Sequence, residues 1–270
     1  MGKLIIDELP VDSSIGWNEY HYTSDVTGPV LPFTDCGSPT SGNWKIIIDE
    51  GVVITGPINN HAVINVAFPG WFWLINNGSL LGVGGAGGIG SASVAGSGKG
   101  PAQGHRAGGG GGAGAPGGVG GECDGSGTDA GDGTATEGGA GGTGSPTTAH
   151  EHDIVVSEMG GGGILLSGPS PARYPVILEN NGLIWCGGGG GSYAATNDAT
   201  GGAGGGLGER GGTDSTGIYY GSEGGRALLS FGKITFLRGN WEPPFVYGLV
   251  QKTEAWYELL SGPGYNYFYR

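Results

Sequence analysis

Charge is scarce in this sequence, and positive charge is scarcest. Asp, Glu, Lys and Arg make up 13% of 270 residues, with 11 basic against 24 acidic groups and a formal net charge of −13. A surface of that sign repels phosphate backbones, and no Lys/Arg cluster reverses the field locally, so nucleic acid is not expected as a partner. Cysteine is nearly missing: Cys36, Cys123 and Cys186 lie far apart, and an odd count closes no disulfide framework. Three free thiols suit a chain folded in a reducing cytoplasm. Long hydrophobic runs are missing too. The most apolar stretch, 62–75, is interrupted by Asn65, Pro69 and Gly70, short of the ~18 residues a membrane helix needs. The opening MGKLIIDELP carries an acid at Asp7, unlike a secretory leader. No membrane insertion is expected.

What is abundant is glycine, 66 residues, which with 15 prolines makes 81 of 270. Such a level favours disorder. Disordered chains, however, are highly charged and poor in large apolar groups, whereas this one has 7 Trp, 11 Tyr and 7 Phe. Collagen is excluded because glycine does not recur at every third position over long stretches. An ordinary helical or α/β enzyme is disfavoured, since each glycine inside a helix costs about 1 kcal/mol. The expected class is mainly β and irregular, with essentially no α-helix.

Four segments share one pattern: IIIDEGVVI (46–54), WLINNGSLL (73–81), ILENNGLIW (177–185) and LLSFGKITF (228–236). Each has an apolar half, a turn ending in Gly51, Gly78, Gly182 or Gly232, and a second apolar half. Asn-Gly supplies the positive φ of a tight turn, so strand–turn–strand is expected. Repetition at irregular spacing points to one duplicated unit carrying long inserts.

The inserts are the glycine tracts, with 29 glycines in residues 82–144 and 17 in residues 187–225. Triplets keep phase locally, as in 84–90, 117–122, 138–144 and 201–206. A period of three is that of the polyproline-II helix. Two bare edges in three let neighbouring helices approach until their backbones pair, which gives the tract's N–H and C=O groups partners. The expectation is a polyglycine-II sandwich flanked by short β-layers over 45–238. An arm, 1–44, provides an attachment or oligomer contact through Trp17, Tyr20, Tyr22 and Phe33, and 239–270 forms an aromatic cap or partner-contact tail.

Signatures of chemistry are weak. Gly82 to Gly87 satisfies GxGxxG formally, yet a dinucleotide site requires a helix to follow. Around Lys99, Ser93 stands where a phosphate loop needs its first glycine. Glu122, Asp124, Asp129, Asp132 and Glu137 could be a calcium loop but lack its spacing, so a solvated acidic loop is the preferred reading. His150 and His152 share one side of an extended strand and are weak metal candidates, two ligands alone making no site. No catalytic constellation and no cofactor is expected, and the chain is read as a non-enzyme.

Short inserts of lower glycine content remain: 91–107, 122–137, 145–158, 192–200 and 209–223. If the glycine helices run back and forth, these inserts become loops on a rigid scaffold, where recognition residues concentrate. The candidate contact residues are His105, Arg106, Tyr193, Asn197, Asp198, Asp214, Tyr219 and Tyr220.

FWLINNGSLLGVGGAGG and VILENNGLIWCGGGGGSY together resemble the glycine-rich adhesins at the tips of long tail fibres of T-even-like bacteriophages. The resemblance covers about residues 45–235. It implies a polyglycine-II sandwich whose variable loops choose a bacterial surface receptor, an outer-membrane protein or a glycan. It also implies tail or fibre proteins as partners and a place at the virion's tail-fibre tip after synthesis in the host cytoplasm. Two features depart from the family, a 44-residue arm in place of a larger helix-bearing domain and the aromatic tail. The alternative is a structural tail component without receptor contact.

Overall fold

Alternating apolar residues in short segments bounded by glycine, asparagine and proline give strands with one face buried. The computed structural model describes residues 16–56, 62–66, 68, 70–88, 109–121, 129–142, 157–166, 176–194, 200–231, 235–248, 250–253 and 257–259. Its elements are β1 (Trp17–Tyr22), β2 (Val26–Thr27), α1 (Pro32–Asp35), β3 (Asn43–Ile48), β4 (Val53–Thr55), β5 (Ala62–Val66), β6 (Phe72–Asn76) and β7 (Ser79–Leu81). They continue as β8 (Gly162–Leu166), β9 (Val176–Asn180), β10 (Leu183–Trp185), β11 (Leu228–Phe231), β12 (Thr235–Gly239), β13 (Val246–Tyr247), β14 (Val250–Thr253) and β15 (Tyr257–Leu259). The fold is mainly β and irregular, and the single helical turn α1 is the only α-helix among the described residues. None is therefore long and apolar enough to cross a membrane.

The strands form three sheets with orders β1-β3-β6-β9-β12-β15, β13-β10-β7-β4-β2 and β14-β11-β8-β5. Every pairing is parallel, and the chain visits the sheets in a fixed order. The result is a three-sided solenoid, in which β3–β4–β5 make one turn and β6–β7–β8 the next. In the first turn a bridge from Val30 to Ile64 stands in for a third-sheet strand. Inward side chains stack in rows along the axis. Ile46, Leu74, Leu178 and Leu237 form one row and Ile54, Leu80, Ile184 and Val246 another, each residue at most 3% exposed. Burying each such side chain stabilises by about 1.5–3 kcal/mol.

The repeated strand–turn–strand units are present, as corners of the solenoid. In the first three units the two strands lie in the first and second sheets, and each pairs with the neighbouring turns of the solenoid. LLSFGKITF lies at a different corner, from third sheet to first, and its Gly232 is outside the described residues. The reason for glycine also differs from the expected one. Only Gly51 has a positive φ (81°), and Gly78 and Gly182 do not. A Cβ on Gly182 would instead overlap the Gly78 carbonyl, and one on Gly78 would overlap the Val52 carbonyl. Glycine is there because successive corners stack in contact.

Beside these corners runs an asparagine ladder. Asn76 Nδ2 donates to Asn180 Oδ1 at 2.7 Å, and Asn180 Nδ2 donates to the Asn240 carbonyl at 2.6 Å. Outside it, Asn181 Nδ2 donates to Asn77 Oδ1 at 3.0 Å.

Both glycine tracts leave the solenoid at one corner, between β7 and β8 and then between β10 and β11. Their hydrogen bonds rotate with a period of three. Along 187–192, successive N–H groups donate to Gly161, Ala113, Glu209, Glu158, Gly110 and Gly212. The same three neighbouring segments are thus visited twice in order, the symmetry of a threefold helix. The carbonyls of 187–192 accept in the same rotation from Gly225, Gly85, Gly205, Ser222, Gly88 and Gly202. Segment 187–192 is therefore enclosed by six others, and its residues are all buried.

Candidate functional site

The direction of each lattice segment decides where its ends lie. Segments 82–88, 117–121, 138–142, 187–192 and 209–214 run away from the solenoid, and 109–115, 129–134, 157–161, 201–206 and 221–225 return. Far-end neighbours are joined by Gly109 N to Gly88 O at 2.8 Å, Ala130 N to Gly121 O at 3.1 Å and Gly201 N to Gly142 O at 3.0 Å. The segments flanking most of the expected inserts thus end together, at the end remote from the solenoid. Two inserts are shorter than the composition suggests. Residues 129–134 and 209–214 belong to the lattice, and Thr134 to Glu137 close a turn at its near end, where the Glu137 N–H donates to Thr134 Oγ1.

The far-end turn described in full is 214–220. Asp214 organises it: its Oδ1 accepts from the N–H groups of Ile218 (3.0 Å) and Tyr219 (3.1 Å), and its Oδ2 accepts from Thr216 Oγ1 (2.6 Å). A carboxylate bonding to nearby backbone N–H groups is a strong local constraint. Gly217, at φ 74°, supplies the left-handed residue that closes the loop. A second strut joins the neighbouring connection. Thr200 N donates to Ser215 Oγ at 2.9 Å, and Ser215 N donates to the Thr200 carbonyl at 3.0 Å.

The sequence candidates divide by position. Tyr193 (8% exposed) and Asp214 (4%) sit inside the tip, and the Tyr193 ring packs on Tyr219 at 4.6 Å between centroids. Tyr220 projects, 64% exposed, with the Arg210 guanidinium 5.6 Å from its ring centre. Arg210 is itself held by the Gly221 carbonyl and by Glu223 at 3.4 Å. His105, Arg106, His150, His152, Asn197 and Asp198 lie outside the described residues. Composition missed Ile218, 59% exposed beside Tyr220, and Arg210 beneath it. The signal was present in Asp214-Ser215-Thr216-Gly217, an Asx-turn pattern that thrusts the next residue outward.

The expected attachment residues lie on the first turn of the solenoid, 17–33. Trp17 meets the Trp73 ring edge-on at 5.8 Å, and Phe33 does the same with Phe68 at 5.7 Å. Tyr20 contacts Tyr22, whose hydroxyl donates to Asp35. Burial, reinforced by the Asp35 carboxylate, pushes the Tyr22 phenol up far beyond its ordinary range.

The GxGxxG segment has no free cradle. The Gly82 N–H donates to the Trp185 carbonyl of β10, and those of Gly84, Gly85 and Gly87 donate to backbone carbonyls of the lattice; no helix follows within the described part of the tract. Among the described residues, no three of His, Cys, Asp and Glu gather to hold a metal ion. Asp132 instead accepts from the Gly120 N–H at 2.8 Å.

Neither a protein-family model nor a curated protein matches the sequence. Among solved structures, the chain is similar to one from the gp37-gp38 adhesin tip complex of the bacteriophage S16 long tail fiber. The two are 13% identical with a TM-score of 0.41, over 86% of this chain and 82% of that one.

Proposed function

We propose that this protein is a bacteriophage tail-fibre adhesin, a binding protein rather than an enzyme, which contacts a bacterial surface receptor through the far end of its glycine lattice. The observation that carries the reading is the tip itself. A hydrogen-bonded backbone lattice brings the ends of several segments to one end, and the turn described there presents Ile218 and Tyr220 to solvent, pinned by Asp214. Tyrosine offers large contact area at low entropic cost. A turn already fixed before contact loses little freedom on binding, so more of the contact energy appears as affinity. Weak contacts become useful when many fibres engage one cell.

The sequence resemblance supports the same reading. The acidic net charge favours a protein loop or a neutral sugar as receptor over a phosphate-rich glycolipid. The reading also places the protein in the virion, at the tail-fibre tip, with other tail or fibre proteins as partners.

The test uses labelled protein on a panel of bacterial strains, with Ile218→Ser/Tyr220→Ser as the variant. Strain-selective binding that falls at least about tenfold in the variant, a loss near 1.4 kcal/mol, supports the adhesin. No binding to any strain by the folded wild-type protein removes the receptor claim in favour of a structural tail component.

A further inference from the structure

Four exposed side chains near the tip form one patch, and the threefold helix explains why. Segments 209–214 and 221–225 lie side by side and run in opposite directions. Gly211 N donates to the Ser222 carbonyl at 2.9 Å, Gly221 N to the Gly212 carbonyl at 3.1 Å and Asp214 N to the Tyr219 carbonyl at 3.1 Å. That register sets Thr213 opposite Tyr220 and Arg210 opposite Glu223. Three residues separate Arg210 from Thr213, and Tyr220 from Glu223. Three residues are one turn of such a helix, so each pair projects from one edge about 9 Å apart. All four are exposed, whereas Gly211, Asp214, Gly221 and Gly224 are buried.

The patch combines an aromatic face with an ion pair. The Arg210 guanidinium lies over one face of Tyr220, 5.6 Å from the ring centre, and Tyr220 keeps 64% exposure, which leaves the other face open. Arg210 Nε donates to the Gly221 carbonyl at 3.0 Å, and its Nη1 lies 3.4 Å from Glu223 Oε1. These contacts orient the guanidinium, yet the Arg210 and Glu223 side chains keep 54% and 56% exposure. Both therefore have capacity left for a ligand. Ile218 extends the apolar part beside Tyr220.

A sugar ring has the matching faces. Its C–H groups suit the negative face of an aromatic ring. Its hydroxyls accept from a guanidinium and donate to a carboxylate, and hydrogen bonds to charged groups are the stronger kind. Arg210 and Glu223 cancel each other's charge in a chain of net charge −13, so an anionic sugar meets a cation already paired. A protein partner would want a dry apolar centre, whereas here a solvated ion pair stands against the ring.

Resting on the adhesin reading above, we propose that Tyr220, Arg210 and Glu223 form a subsite for a neutral sugar residue of a bacterial surface glycan. The sugar stacks on the open face of Tyr220, and its hydroxyls bond to Arg210 and Glu223.

The test binds the labelled full chain to a strain that it selects. The competitor is polysaccharide from that strain, freed of protein and unretained by an anion exchanger. This neutral polysaccharide is expected to displace the wild-type protein. Tyr220→Phe, which keeps the stacking face, should bind the cells within about threefold of wild type. Tyr220→Ser and Glu223→Gln should each lose at least about tenfold. Amide exchange along 187–192 should match wild type in every variant, which shows that the lattice is intact. Selective cell binding that the neutral polysaccharide does not displace overturns the sugar subsite and leaves the adhesin reading standing. So does displacement that Tyr220→Ser, with its lattice intact, leaves unchanged. A folded wild-type protein that binds no strain removes the adhesin reading, and the subsite with it.

Discussion

Replacing Gly190 by alanine adds one methyl group at the most enclosed place in the molecule. Gly190 lies in segment 187–192, its N–H donating to the Glu158 carbonyl and its own carbonyl accepting from Ser222. The new Cβ would overlap the Ala86 carbonyl and reach 3.0 Å from Gly87 N. These are backbone atoms, so relief requires segment 82–88 to move away. That segment is tied to 187–192 by Gly85 N to Gly188 O at 2.8 Å and Gly88 N to Gly191 O at 3.0 Å. Breaking two buried bonds whose groups find no new partner costs about 1–3 kcal/mol each. The reduced freedom of alanine in the unfolded chain returns only about 0.4–1 kcal/mol. The net expectation is a destabilisation of about 1–5 kcal/mol. Gly131→Ala is the internal control, because that residue is exposed and a Cβ there meets nothing nearer than Ala140 N at 3.3 Å. It should fall within about 0.5 kcal/mol of wild type. Urea unfolding, with amide exchange at 187–192 as a local readout, measures both. If Gly190→Ala is as stable as Gly131→Ala, the close backbone contact does not exist and the lattice argument fails.

Asn180→Ala should cost about 2–3 kcal/mol in the same assay, because it removes the acceptor of Asn76 Nδ2 and the donor to the Gly182 and Asn240 carbonyls. A cost under 0.5 kcal/mol would show that the ladder is ornamental. Ser192→Ala should be neutral or stabilising by up to about 1 kcal/mol, since Ser192 is 3% exposed and its Oγ has no partner among the described residues. Marked destabilisation there would reveal a bond to that hydroxyl. Burial pushes the Cys186 thiol up from 9.0 to about 12. The neutral thiol is therefore favoured by folding, so its contribution is complete below pH 9 and is lost as pH rises from 9 towards 12. Stability measured over that window should fall less steeply in Cys186→Ala, and identical slopes would contradict the burial.

How much of this was legible in the sequence follows from which interactions are local. The threefold phase of the glycine triplets is a local property, and it foretold the rotation of donors along 187–192. The paired Asn76-Asn77-Gly78 and Asn180-Asn181-Gly182 showed that one unit was duplicated. Their pairing was not legible, because Asn76 and Asn180 are 104 residues apart and both glycine tracts divide the solenoid's strands. The local pattern gave strand–turn–strand but not the partners, which lie in other turns of the solenoid. Strands as short as β13 (Val246–Tyr247) carry no periodic signal of their own and take their register from β10. At the tip, the sequence named Tyr193, Tyr219 and Tyr220 alike. It could not distinguish exposed Tyr220 from buried Tyr193, since burial depends on the Tyr193–Tyr219 contact across the lattice.

The measurement that bears most directly on the central claim is strain-selective binding by a protein in which residues 195–199 and the far-end turn 215–220 are replaced by Gly-Ser, with amide protection along 187–192 as the check on the lattice. The account predicts that wild-type protein binds some strains and spares others, and that the replaced protein keeps its lattice protection but loses that selectivity. Undiminished, still selective binding by the replaced protein would place recognition elsewhere on the molecule and contradict the claim.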